Sequence, residues 1–403
     1  MPTSLFRFPS RPPNPCPARA ALVLTSVLAF LVLGAGSVVG ADKPTTRAFR
    51  LVERFRVDDT SSEHVLGNIR KVVADAEGRI FLLDDQVKHL LVFAGDGTYL
   101  GAWSDEGDGP GEFREATDLV VGPEGQIGIC LGFPGRIDFL DRTGEPWGRR
   151  IRPLEDLRAD GALYAVLAAQ INGERLVTLN QILSKEPGVE DFQLKLVVSR
   201  LDGTREKLIW EKFTTVSVNF FRETDDYRVF QFGWETIADR VFLAPERNDY
   251  HIEVFDLEGR SVGTIIRDVE GRKRTAEDIA RLTSHMEKIK RRNPNFQWSL
   301  EERARPIREI HSFGNREVWV EVNREPDTLP PNALCVLDAY DLDGNSLGTV
   351  QLLCEEDRFQ GRLFILGEDR LAMHTSQIPL GESAADHDEE PSVIIYDLVP
   401  AAP

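Results

Sequence analysis

The chain is expected to be all-β, and three observations carry that expectation. An apolar run ending in Asp or in a Gly-containing turn recurs along it: LLVFAGDG to Gly97, RIDFLDRTG to Gly144, LKLVVSRLDG to Gly203, HIEVFDLEG to Gly259 and CVLDAYDLDG to Gly344, with SVIIYDL over Ser392–Leu398 as a sixth. The runs are mostly about 45–60 residues apart, the interval of a repeated four-stranded unit. The residues between them form short strand-like segments broken by turns, and one stretch alone has a helical period. Repeats of this kind close radially, so the expected architecture is a six-bladed β-propeller.

Bulk properties agree with a large packed domain. The chain has 403 residues, is 41% hydrophobic and carries a formal charge of -18. So acidic a surface repels nucleic acid and anionic membrane faces, and no nucleic-acid partner is expected.

Residues 1–41 stand apart from the repeats. Arg7, Arg11 and Arg19 are their only charged residues, so the remainder of the chain is three charges more negative. Arg11 and Arg19 precede the apolar run AALVLTSVLAFLVL, and Val39-Gly40-Ala41 supplies small residues for cleavage. This is the layout of a secretory signal peptide, with an uncleaved N-terminal anchor as the alternative. Either places the body outside the cytoplasm, periplasmic or secreted. Cys16 precedes the apolar run, where it does not suit lipidation.

The blades succeed one another over residues 48–399. Their first strands are expected at Ile69–Ala74, Thr117–Val121, Leu163–Gln170, Tyr227–Trp234, Ile307–Phe313 and Arg362–Leu366. Blades one to five each have three further strands. Blade six has only Arg370–His374 and Val393–Tyr396 after its first. An orphan strand, AFRLVERFRV over Ala48–Val57, precedes blade one. Placed as the outer strand of blade six, it closes the ring and leaves no free edge.

Between blades one and two lies the corner Gly107-Asp108-Gly109-Pro110-Gly111-Glu112-Phe113. Its glycines allow positive φ and its proline fixes φ, while Phe113 is expected to plug between blades. A phosphate-binding loop would need a lysine or a helix N-terminus directly after it, and neither is present. Residues 268–305, between blades four and five, are expected to be a helical insert. There Thr275-Ala276-Glu277-Asp278 resembles a capping box, Ile279, Leu282, Met286 and Ile289 come next at helical spacing, and Asn293-Pro294 ends the helix.

The segment EGDGPGEFREATDLVVGPEGQIGI, with LLDDQVKHLLVFAGDGTYLG before it, resembles NHL-type repeats. It is closer still to bacterial secreted six-bladed propellers with a GxGPGEF-like corner. Asp85-Gln86-Val87-Lys88-His89 stands where those repeats usually carry an Asn-Arg pair. The resemblance implies a six-bladed fold and an extracytoplasmic location. It implies no one activity, since such rings include scaffolds, sugar or peptide binders, lactonases and lyases.

Chemistry-bearing residues are scattered. His64, His89, His251, His285, His311, His374 and His387 do not recur at one blade position, so each is read as structural. Asp84-Asp85 is read as a turn pair, because neighbours on a strand point to opposite faces. Cys130, Cys335 and Cys354 show no CxxC spacing. Cys335 and Cys354 could face each other across a hairpin, but two buried small hydrophobes is the preferred reading. The alternating aromatics of Arg228–Trp234 are assigned to blade packing rather than sugar stacking. There is no GxSxG, Walker or GxGxxG motif, and no catalytic residue, metal or cofactor is assigned. The one candidate partner surface is the basic set Arg272, Lys273, Arg274, Lys288, Lys290, Arg291 and Arg292, with the acidic stretch His387–Glu390 as a counterpart.

The expectation is thus a monomeric extracytoplasmic module that binds a small molecule, a sugar or a protein at the central mouth or the helix-bearing face, and an enzyme less readily than a binder. The alternative is a metal-dependent lactonase- or lyase-like enzyme at the same mouth. Three or more Asp, Glu, Asn or His side chains around one point in the channel would favour it.

Overall fold

The computed structural model describes residues 45–58, 66–154, 163–183, 191–215, 217, 219–226, 230–354, 361–375 and 392–401. The segment read as a signal peptide, His64 and His387–Glu390 lie outside these residues. No helix among the described residues is long and apolar enough to cross a membrane.

Blades one to four are separate antiparallel sheets of four strands, each ordered in sequence. They begin with the inner strands Ile69–Ala74, Ala116–Val121, Leu163–Asn172 and Trp234–Ile237. Blades five and six begin with Ile307–Phe313 and Arg362–Ile365. The second strand of blade one, Ile80–Asp84, shows why such runs are apolar throughout. Ile80 and Leu82 pack toward blade six, while Phe81 and Leu83 pack toward blade two. Both faces are covered, so alternation disappears. Six clusters of buried hydrophobic side chains result, one between each pair of neighbouring blades, including six and one.

The chain ends close the ring. Strand Thr46–Val57 pairs antiparallel with Val393–Pro400, through Leu51↔Leu398 and Val57↔Val393. Its first residues also pair in parallel with the outer strand of blade five, through Phe49↔Leu352, so blades five and six form one continuous eight-stranded sheet. The repeat pattern does not announce this second pairing. It arises because the strand is longer than its antiparallel partner requires.

The first strand of blade four departs from expectation. It runs Trp234–Ile237 rather than Tyr227–Trp234, whose residues 227–229 lie outside those described. The cause is a two-residue turn, Ala238-Asp239, that sets Ile237 opposite Arg240 and fixes the register. Ala238 adopts φ 51°, which its sequence does not advertise. The aromatic row is divided accordingly. Phe230 and Trp234 are buried, and Phe232 lines the central channel.

The corner behaves as expected. Phe113 is buried between blades one and two. Gly111 has φ +83°, a conformation that disfavours a side chain, and a Cβ there would also press on the Leu140 methyl at 2.9 Å. Cys130, Cys335 and Cys354 are free thiols, and Cys335 lies opposite Leu352 rather than Cys354.

The insert contains α1, Ala276–Arg292. Its capping box is complete: the Asp278 N–H donates to Thr275 Oγ1 at 3.1 Å, and the Thr275 N–H donates to Asp278 Oδ2 at 2.9 Å. Met286 is buried under it. A short parallel pair, Phe220–Arg222 with Gln297–Ser299, ties the insert to the segment before blade four.

Candidate ligand site in the central channel

Four inner strands carry a register shift near their start: Ile69/Lys71, Ala116/Asp118, Val166/Ala168 and Ile307/Glu309. A bulge re-aims the side chains beside it. Here it helps turn Lys71, Asp118 and Glu309 toward the axis, where they meet Gln170, Glu235 and Arg362 around one cavity.

Three connected spaces run along the axis. Glu309 lines all three, and Arg362 closes over it with hydrogen bonds of 2.6, 3.1 and 3.2 Å. This ion pair forms a waist. On one side, a cavity of about 360 Å³ is lined by the later residues of all six inner strands, among them Lys71, Gln170, Asn172, Glu235 and His311. On the other, beside the insert, a vestibule of about 280 Å³ is lined by Arg247, Arg274, Arg305, Arg308 and Arg362.

Burial and charge act differently on each group. Burial opposes ionisation of Glu309, but Arg362 outweighs it and holds the carboxyl at about 2. Burial likewise opposes Glu321, which Arg308 at 2.8 Å keeps below the usual carboxylate range. Glu235 has no guanidinium partner among the described residues, and the charges of Lys71 and His311 only partly offset its burial. Burial pushes it up to about 7, with Gln170 Nε2 donating to it at 3.0 Å. His374, opposite Arg362 on the neighbouring strand, is pushed down to about 4 by burial and then by that guanidinium.

Glu235 and His374 therefore pull stability in opposite directions as pH changes. A carboxyl raised in the folded state stabilises the fold at low pH, and its contribution fades as pH rises from about 4.5 toward 7. A depressed imidazole stabilises the fold above pH 6.5, and that contribution is lost as pH falls toward about 4. Denaturation profiles of Glu235→Gln and His374→Gln should diverge across pH 4.5–6.5 by about 2 kcal/mol per pH unit. Stability rises with pH in the first and falls in the second, relative to the parent. Parallel profiles would show that neither group is shifted.

Glu309, His311 and Glu321 form the one cluster of potential metal ligands among the described residues, with ligand atoms within 4.8 Å of one another. Glu309 and His311 alternate on one face of the inner strand, and Glu321 lies opposite Glu309. His311 is buried, and its Nε2 lies 3.6 Å from Glu321 Oε2, with no closer hydrogen-bond partner among the described residues. Reading the histidines as isolated overlooked this group. The available signal was the charged stretch Arg308-Glu309-Ile310-His311 within an otherwise apolar strand.

The other singled-out residues have structural roles. Buried Asp84 accepts from the N–H groups of Gly67, Asn68, Gln86 and Val87, while Asp85 pairs with Arg70 at 2.6 Å. His89 Nδ1 lies 3.0 Å from the Ser104 carbonyl, away from the axis. The basic set is not one patch. Arg272 pairs with Asp278 at 2.6 Å and Arg274 with Glu223, whereas Lys273, Lys290, Arg291 and Arg292 are exposed.

Fold and site together define a six-bladed propeller with a charged axial channel. The profile of a family described as a 6-bladed beta-propeller matches residues 49–135. Among solved structures, the chain is similar to a putative exported protein from Bacteroides fragilis NCTC 9343, at 12% identity and TM-score 0.43, covering 88% of this chain and 99% of that one. It is similar to a member of the duf4221 family from Bacteroides vulgatus ATCC 8482, at 11% identity and TM-score 0.48, with the same coverage. It is also similar to regucalcin, a calcium-binding protein from Agrobacterium tumefaciens C58, at 12% identity and TM-score 0.39, covering 87% of this chain and 96% of that one. No curated protein matches the sequence.

Proposed function

We propose that this chain is an extracytoplasmic binding module whose ligand sits in the central channel. The observation that carries the reading is the 360 Å³ cavity into which inner strands direct amide, carboxylate, ammonium and imidazole groups. A channel filled only for stability would be packed with apolar side chains. A hollow with a few convergent polar groups is what a small ligand needs. The basic-apolar-small order of residues 1–41 supports export, and the GPGEF corner supports kinship with NHL-type repeats. The acidic balance supports a partner other than nucleic acid. Exposed Lys273, Lys290, Arg291 and Arg292 suit a second role for the helix-bearing face, docking an acidic protein onto a monomer.

Gln170→Trp tests the reading by filling the cavity. A polar small molecule that raises the melting temperature of the parent by mass action should leave this variant unmoved. Equal stabilisation of both would exclude this cavity, and a ligand that Arg305→Gln also leaves equally effective would lie outside the channel altogether.

The Glu309, His311 and Glu321 cluster favours a second reading, a metal-dependent enzyme at the same mouth. One imidazole and two carboxylates suit zinc. Both carboxylates already hold guanidiniums, Arg362 and Arg308, with which a cation must compete, so this reading ranks second. In the same melting experiment, stabilisation by zinc or calcium that is lost in His311→Ala would reverse the order.

A further inference from the structure

The insert-side vestibule departs from the charge of the rest of the chain. Five arginines line it in a protein of net charge -18. The carboxylates that meet them are fewer. Glu223 is shared: Arg247 Nη2 donates to its Oε1 at 2.5 Å and Arg274 Nη1 to its Oε2 at 2.6 Å. Glu309 is taken by Arg362, and Glu321 by Arg308. Arg305 donates to the Arg308 carbonyl at 2.6 Å, and the carboxylates that act on it are Glu309 and then, from outside the lining, Asp226. Among the described residues that line the vestibule, five guanidiniums face two carboxylates, Glu223 and Glu309.

The fold holds this excess in place. Arg247 is buried and donates to the Arg303 carbonyl of the insert at 3.4 Å, and Arg274 is fixed by Glu223 and the Glu301 carbonyl. Burial and neighbouring guanidiniums push Arg305 down to about 10. Positive charge confined in a poorly solvated hollow is stabilised by any anion that enters. A guanidinium fork also matches the two oxygens of an oxyanion better than an ammonium does.

The opposite end of the channel has a different character, with Lys71 facing Glu235 and Glu309. Between the two, Phe232 lines the vestibule and the waist, with the Arg362 guanidinium 4.1 Å from its ring centroid. A volume of about 280 Å³ is on the order of nine waters' share of the liquid, enough for a body of monosaccharide size.

We propose that the insert-side vestibule binds a small acidic ligand, one oxyanion held by the arginine cluster on a body no larger than a monosaccharide. This rests on the reading of the channel as the ligand site and adds the ligand's charge and its end of the channel. Carboxylate, phosphate and sulfate share the required chemistry.

The test is calorimetric titration of the full chain with glucuronate, glucose 6-phosphate, glucose 6-sulfate and glucose. At least one acid should bind at millimolar concentration or tighter, and glucose should bind at least about tenfold more weakly. The preferred acid identifies the oxyanion. Arg305→Gln keeps donors but removes the charge, and should weaken the acid by about tenfold or more with an unchanged circular dichroism spectrum. Arg305→Lys should restore part of the affinity and confirm the role of charge. Equal acid binding by parent and Arg305→Gln would overturn the inference. So would binding of glucose alone, and if Gln170→Trp abolishes that glucose binding the channel reading survives without it. No binding of any of the four compounds also overturns it.

Discussion

Trp319→Ala is expected to lower the stability of the ring by about 3–5 kcal/mol, the usual cost of emptying a fully buried aromatic site. Trp319 is fully buried in blade five, stacked on Phe313 at 3.8 Å between centroids, with Phe49 of the N-terminal strand at 5.8 Å. Its Nε1 donates to Glu317 Oε2 at 3.1 Å, and Glu317 also holds Arg47. One side chain therefore joins the core of blade five to the strand that closes the ring. The cavity left by alanine would strip packing from Phe49 and remove one of the two donors on Glu317 Oε2, leaving Arg47 as the other. Chemical denaturation monitored by far-ultraviolet circular dichroism reads the effect. A loss below about 1 kcal/mol would mean that the closing strand is held elsewhere.

Glu309→Ala should cost about 3 kcal/mol, the lower end of the range for removing one partner of a buried pair, because cavity water can hydrate the stranded guanidinium. The pair is well buried, with Glu309 12% and Arg362 15% exposed at the side chain. Loss of the carboxylate leaves Arg362 facing Phe232 and the vestibule arginines. The double variant Glu309→Ala/Arg362→Met removes both charges and should recover most of the loss. If the double variant is no more stable than Glu309→Ala, the waist is held by packing rather than by this pair.

Legibility differed sharply between fold and site. The turn glycines, the apolar runs and the orphan strand are local signals, and each maps onto a strand or hairpin. The helix of the insert was legible for the same reason, since Thr275 and Asp278 cap it within four residues of each other. The blade-four strand was misplaced because its turn uses Ala238 at positive φ, where a sequence reader looks for glycine or asparagine. The basic set looked like one patch because charge was counted along the chain. In space Arg272 and Arg274 turn inward to Asp278 and Glu223, and the chain-distant Arg247, Arg305 and Arg362 join Arg274 around one hollow.

Six blades, their closure by the N-terminal strand and the place of the helix are set by hydrophobic period, turn chemistry and capping, all encoded by near neighbours. The channel's chemistry comes from none of these. Glu309 meets Arg362 across 53 positions and Arg247 meets Glu223 across 24. Such encounters exist only after the ring has closed, because inner strands reach the axis through the packing of every blade behind them. Burial then sets Glu235 near 7, while the Arg362 guanidinium outweighs burial and sets Glu309 near 2, a difference that two glutamates cannot show until they are surrounded.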